Sequence, residues 1–423
     1  MKKVAIGVLL IALVLGLTSM VAMGKTKITY LWGTETAVVH EAVETAFEEA
    51  FPEIDLEIIA KPPAGRWQLL QTWAAAGQLP DVFSCPTGAN LVKWVDAKSL
   101  MPLNDHIAEL GIDTSEYPDW AYRKVSGEIY GLPFAINFYG YLCYDKEAFD
   151  EAGVPYPTND MTWDDLAETM RLMTVRDDEG KTIRFGSLTY YPRLTIASLF
   201  GGRVVDNPSN PTKMLFGEAP FLEGMQWYRD RVDEGTLMGR REFIDEDVNP
   251  AKAFSEGRYA SVITDMGWGG NFTNAGIDWD VVTVPHNKPN YGYPYSAGAI
   301  AVGYTTEHPL EALTFVNWFT SSPAAVKIWY GQYLPDNGNP PITTRAMEAF
   351  AEIAGDRGPD GWRCIEVAIA AGVDMLPLWD GGAEIMGAYT DAVLAVSMEE
   401  KPVESLIEAA AECQKMLDES RSE

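Results

Sequence analysis

Residues 126–149 read SGEIYGLPFAINFYGYLCYDKEAF. The stretch opens on a glycine turn at Gly127, continues through Gly131 and Pro133, and then runs through apolar and aromatic residues. One amide, Asn137, sits among them, and a helix-like segment begins near Lys146. A strand that holds an isolated polar group among aromatic rings has work beyond filling a core, because a buried amide needs partners. The expectation is a strand that crosses between two lobes and carries ligand contacts as it crosses.

Working outward, the 423-residue chain is too long for one ordinary hydrophobic core, so two lobes are expected. A hydrophobic fraction of 47% with 11% aromatics places it among globular proteins and not disordered ones. Lys2 and Lys3, the apolar run Val4–Leu17 and the small residues Ala22-Met23-Gly24 form an export signal. The expected mature chain starts after residue 24. The run is shorter than the ~20 residues of a membrane span. No Cys stands near the cleavage point to take a lipid anchor, and no later run is long enough to span. The expected product is exported and soluble.

Without Lys2 and Lys3 the balance is 30 basic against 61 acidic residues, a net charge of −31. That excludes nucleic acid and anionic membrane surfaces as natural partners. Cys85, Cys143, Cys364 and Cys413 match no zinc spacing and are too widely spread for a disulfide framework. Cys85 and Cys143 lie in apolar strand-like contexts, where a buried thiol is the ordinary reading. The chain has no P-loop and no other cofactor motif, so no cofactor is expected.

Ile28, Tyr30 and Trp32 alternate as a strand that ends in Gly33-Thr34-Glu35. Val39, Val43, Ala46, Phe47 and Ala50 then recur at helical spacing, with Pro52 as the stop. Ile54, Leu56 and Ile58 alternate again. Strand, helix and strand in about 30 residues predict a βαβ unit on a parallel sheet. A second helix over Trp67–Ala76 ends at Gly77, and residues 79–83 read as a third strand that breaks off in Ser84-Cys85-Pro86-Thr87-Gly88. Ligands of open α/β sheets bind beyond the carboxyl ends of the strands, which puts both turns at a site edge. Farther on, Thr162 and Asp165 predict a capped helix start. Strands are expected over 185–191, 259–264, 280–285 and 295–304, and one helix over 309–329. There is no internal repeat.

The order of these motifs resembles the extracellular solute-binding proteins of ATP-driven sugar importers, the group that includes maltose-binding protein. The resemblance is carried by Gln78-Leu79-Pro80-Asp81-Val82, Ile129-Tyr130-Gly131-Leu132-Pro133 and Tyr144-Asp145-Lys146 with Phe149, Gly153 and Thr162-Trp163-Asp164. It continues in Ala253–Arg258 leading to Trp268, in Ser296-Ala297-Gly298, and in Ala312–Ser322 with Leu334-Pro335. Asp145 departs from it, since the family usually has Asn there. The resemblance implies an α/β fold of two hinge-linked lobes, each a mostly parallel sheet flanked by helices. The N-terminal lobe would comprise 25–138 plus 294–340, and the C-terminal lobe 139–293 plus 341–423. Crossings are implied near Phe138–Gly140, Gly292–Tyr295 and Asn339–Pro341. The implied partners are a carbohydrate ligand and membrane permease subunits with their ATPase subunits, the binding protein acting as a monomer in the periplasm.

A sugar offers flat C–H faces and a rim of hydroxyls, so aromatic rings should meet carboxylates, amides and Arg at turn positions. Trp268 follows a strand inside the Gly-flanked turn Asp265-Met266-Gly267-Trp268-Gly269-Gly270, and the family places a stacking Trp there. Asp265 is either a turn-forming residue or a hydroxyl acceptor. Trp379 and Asp380, before Gly381-Gly382, repeat the pattern at another family position for an aromatic. Tyr191 matches a stacking aromatic of the family, with Arg193 beside it. Asn137 is either satisfied by backbone or a ligand contact. Trp32, Glu35 and Thr87 stand at strand ends. Trp32 equally fits a core, and Glu35 equally fits a helix start. Arg66-Trp67 opens the second helix and either faces the cleft or, as the plainer reading, simply lies on the surface. Two other functions suit the same residue types. One is a secreted glycoside-active enzyme using Asp265 with Asp380 or Glu35. The other is a binder of a non-sugar solute on the same fold.

Overall fold

A computed structural model describes residues 24–87, 89–189, 192–207, 210–245, 249–285, 294–333, 340–357, 361, 364, 373–374 and 382–421. The export signal expected over 1–24 lies almost wholly outside them. Strand β1 (Thr26–Gly33), helix α1 (Ala37–Ala50) and β2 (Ile54–Lys61) form the βαβ unit, with β1 and β2 parallel from Thr26↔Ile54 to Gly33↔Lys61. Val39, Val43 and Phe47, one turn apart, bury the inner stripe of α1. Its outer carboxylates have a second task. β2 is the sheet edge, and its outward amides are taken up by α1: Ile58 N donates to Glu44 Oε1 at 2.8 Å and Leu56 N to Glu48 Oε1 at 3.4 Å.

Helix α2 (Arg66–Ala75) starts from Gly65 in the left-handed region and is followed by β3 (Val82–Ser84), parallel to β1, and by α3 (Ala89–Asp96). β4 (Arg123–Val125) turns into β5 (Glu128–Asp145) through Ser126 and Gly127. Both turn residues have positive φ, 51° and 86°, which a two-residue hairpin needs to match the strand twist. β6 (Val175–Arg176) and β7 (Thr182–Arg184) form a small separate ribbon. β8 (Ser187–Thr189), β9 (Leu237–Met238), β10 (Ser261–Asp265), β11 (Trp279–Thr283), β12 (Pro294–Val302) and β13 (Val373–Asp374) complete the described strands. The main sheet runs β2-β1-β3-β12-β5-β10-β8-β9, with β4 and β11 also on β5 and β13 on β12.

β5 joins the two halves of this sheet. From Leu132 to Phe138 it pairs with β12, ending at Phe138↔Tyr295. From Tyr139 to Tyr144 it pairs with β10, beginning at Tyr139↔Asp265, and from Tyr141 to Asp145 also with β11. The change of partner falls between Phe138 and Tyr139. The outer pairings β1–β2, β1–β3, β10–β8 and β8–β9 are parallel, whereas every described pairing of β5 is antiparallel. The reason is connectivity: β5 leaves the first half and β12 returns to it, so the two must run in opposite directions.

Pro133 is tolerated inside β5 because the register slips there, with Gly298 opposite Ala135 and Ala299 opposite Pro133. Phe134 is the extra residue, and its ring lies over Gly298. A Cβ at position 298 would stand 2.6 Å from Phe134 Cε1, so the position takes only glycine without movement.

Helix starts follow the sequence signals. Thr162 and Asp165 form a reciprocal capping box for the helix Trp163–Met173. Asp145 Oδ1 accepts from Glu147 N and Ala148 N at the start of Lys146–Ala152, while burial pushes its carboxyl above the usual range. The single helix expected over 309–329 is instead two, Pro309–Ser321 and Pro323–Tyr333. Pro323 has no amide to donate and restarts the helix at its first position, leaving Ser322 extended at φ −76°, ψ 131°. All four cysteines are buried and none forms a disulfide. Burial pushes the Cys85 thiol up to about 12, against the pull of Arg123. Among the described residues no helix is long and apolar enough to cross a membrane.

Candidate functional site

Strand directions locate the site. β5 runs in the same sense as β3, because each is antiparallel to β12, so β3 and β1 point their carboxyl ends the way β5 travels, toward its change of partner. On the other side β10 is antiparallel to β5 and returns to that point, with Asp265 opposite Tyr139. β8 is parallel to β10, so Thr189 also faces it. Both half-sheets therefore direct their carboxyl ends at one place, where open α/β sheets hold ligands.

A bulge shapes the second side. Thr264 pairs with Tyr141 and Asp265 with Tyr139, so Gly140 is passed over, and its carbonyl instead accepts from Val284 N at 2.8 Å. Such a slip re-aims the side chain that follows it. Asp265 is 5% exposed, and its Oδ1 accepts from Gly267 N at 2.8 Å, which pins the turn Met266–Trp268. Trp268 follows, half-buried and packed on the core, ahead of the helix Gly269–Asn274 with buried Gly269 and Gly270.

Asn137 lies opposite Ser296, one residue before the change of partner. Glu35 falls in the single turn Thr34–Thr36 after β1, and Arg193 is the second residue of the helix Pro192–Leu199 after β8. The side chains of these three lie outside the described set, as do Tyr191, Trp379 and Asp380 altogether. Thr87 is exposed beyond β3. Trp32 takes the core position of its two readings. It is 6% exposed, with the His40 ring stacked at 4.9 Å, Trp329 stacked at 4.7 Å and Phe319 edge-on at 5.1 Å. The structure thus groups Asp265, Trp268 and the backbone of Asn137 at the change of partner, and turns Trp32 inward.

Three hydroxyls escaped the sequence reading. Thr189 and Thr195 are buried with their oxygens 3.4 Å apart, and Thr264 is buried with no protein partner for its oxygen among the described residues. Thr189 closes its strand and Thr264 stands next to the end of its own. A hydroxyl residue at the carboxyl end of a strand, ahead of a turn, was the available signal. Carboxylates and hydroxyls are hydrogen-bond partners and an indole is a flat ring face; here Asp265 and the three threonines are buried and Trp268 is half-buried. Among the described residues no group of His, Cys, Asp and Glu could hold a metal ion.

The model of the bacterial extracellular solute-binding protein family matches residues 42–353. The chain belongs to that family. A galactooligosaccharide-binding protein of Bacillus subtilis is 23% identical over 253 residues, covering 57% of this chain and 55% of that one. An uncharacterised ABC transporter extracellular-binding protein of Pyrococcus horikoshii is 27% identical over 134 residues, 30% of this chain and 29% of its own. The aligned regions thus span between about a third and about half of these curated relatives. Among solved structures, an ABC substrate-binding protein of Listeria monocytogenes in complex with cycloalternan superposes with TM-score 0.74 at 20% identity, over 94% of this chain and 99% of that one. A sugar-binding protein of Xanthomonas citri gives TM-score 0.74 at 18% identity, over 94% and 98%. At these identities the likeness is one of fold. The solute-binding protein described here has the two-lobed α/β architecture of these structures.

Proposed function

We propose that this solute-binding protein captures a neutral sugar, a mono- or oligosaccharide or a related polyol, between its two lobes and delivers it to a membrane permease. The carrying observation is the convergence of both sets of strand ends on the partner change in β5, with Asp265 and Trp268 beside it. The rings supply faces for C–H surfaces, and the carboxylate and hydroxyls supply partners for sugar hydroxyls. Relatives that bind galactooligosaccharide and cycloalternan support this ligand class.

In this reading residues 25–138 with 294–340 form one lobe, and 139–293 with 341–423 the other. β5 makes the first crossing at Phe138–Gly140, and β12 begins at the second. The lobes close because contacts to both exist only in the closed state. The closed form then docks on permease subunits whose ATPase partners supply the energy. The protein acts as a monomer after export to the periplasm, and it binds without chemistry.

Calorimetric titration with neutral sugars, polyols, anions and metal ions tests the ligand class. Heat with at least one neutral sugar, and that sugar recovered unchanged afterwards, is the expected outcome. Heat only with an anion or a metal overturns the ligand class, and cleavage of an oligosaccharide overturns the binding role.

A further inference from the structure

Trp67 is the one tryptophan among the described side chains that is exposed, at 43%. It opens α2, whose first residue comes five positions after Lys61, the last residue of β2. Because β2 runs parallel to β1 and β3, the start of α2 lies at the same carboxyl edge that faces the cleft. The ring is held from behind. Trp94 on α3, 8% exposed, meets it edge-to-face at 6.1 Å, and Trp94 in turn packs on buried Phe83 of β3 at 5.8 Å. A ladder of rings thus leads from the sheet core to solvent and fixes the last ring in place. Pro62-Pro63 stiffen the chain ahead of the helix, and Gly65, left-handed at φ 78°, makes the turn into it.

The surroundings are as distinctive as the ring. From Ile58 to Pro80 there is no Asp or Glu, in a chain that carries 61 of them. The exposed neighbours on α2 are Gln68, Gln71 and Thr72, and Gln71 lies one helical turn from Trp67 on the same face. An indole backed by a second indole, with an uncharged amide beside it, matches one pyranose ring: a flat face to stack on and hydroxyls to bond. A protein-docking patch would gather several large apolar side chains, and here the exposed residues around the ring are the small Pro62, Pro63 and Ala64 and the polar Gln68, Gln71 and Thr72, with Arg66 half-buried beside it.

We infer that Trp67 with Gln71 forms an outer sugar-binding position at the rim of the cleft. It takes a ring of an oligosaccharide whose other rings lie between the lobes. The assignment rests on the sugar reading above and adds chain length to it: the ligand extends beyond a monosaccharide, and α2 selects for that extension.

The test is calorimetric titration of the full protein with glucose-, galactose- and mannose-based series of one to four rings. Wild type is compared with Trp67→Ala, Trp67→Phe and Gln71→Ala, and thermal midpoints verify that each variant is folded. For the shortest sugar that binds, Trp67→Ala is expected to match wild type. For sugars longer by two rings it should bind fivefold or more weakly, with Phe restoring most of the loss and Gln71→Ala losing part of it. Equal affinity at every length, equal loss at every length, or wild-type binding confined to monosaccharides would overturn the outer position and leave the sugar reading standing. Unchanged sugar binding with reduced stimulation of the permease ATPase would reassign Trp67 to docking and overturn it as well. Wild type that binds none of the sugars would bring down both readings.

Discussion

Trp32 and Trp268 share a local grammar and have opposite surroundings. Each stands at the carboxyl end of a strand or in the turn just after it, and each is followed by glycine. Trp32 is closed in by His40 from its own unit and by Phe319 and Trp329 from the far end of the chain. Trp268 is half-buried, packed on the core from one side, and it stands in a turn pinned by Asp265. The difference teaches that the burial of an aromatic at a strand end is decided by what distant segments pack on it, which its local sequence does not state.

The comparison can be broken most sharply at Trp32. Replacing it by Ala removes the centre of a ring cluster and should destabilise the protein by about 3–5 kcal/mol, read from denaturant unfolding. Sugar affinity of the folded fraction should stay within about threefold of wild type, or ~0.7 kcal/mol. Lost affinity at unchanged stability would instead make Trp32 a ligand contact. Gly298→Ala probes the same cluster from below. The new Cβ pushes the Phe134 ring, which packs on Phe319 and Trp329 at 6.0 and 6.1 Å. Overpacking of this kind costs about 1–3 kcal/mol, and a neutral result would mean that the cluster has room to move. Trp268→Ala should do the reverse of Trp32→Ala: binding weakened at least tenfold, ~1.4 kcal/mol, with little change in thermal midpoint. A fall in stability with unchanged binding would place both tryptophans in the core.

The first unit of the fold was readable because alternation and helical spacing are local signals. Ile28, Tyr30 and Trp32, then Val39, Val43 and Phe47, then Ile54 and Leu56 each state their element without help. β5 was readable from Gly131, Pro133 and Asn137, residues that an ordinary central strand avoids. The break at Ser322-Pro323 was available in the sequence but was outweighed by the continuous apolar pattern on both sides of it. What covers Trp32 was not readable, since Trp329 meets it only through tertiary packing. Thr189 and Thr264 were passed over because a threonine in a strand ordinarily signals β propensity and nothing more, and Thr195 because it lies inside a helix. The turn that holds Asp265 and Trp268 was legible through the glycines around it.

The carboxylates of α1 that hold the outer amides of β2 bear on how copies of this protein meet. An edge strand is a template on which another chain can add itself, and it recruits through free amides. Here Glu44 and Glu48 already occupy two of them, so an arriving strand finds acceptors in the way and negative charge around them. The protein thus denies this border to its own kind, using a helix whose inner face is needed for the core in any case.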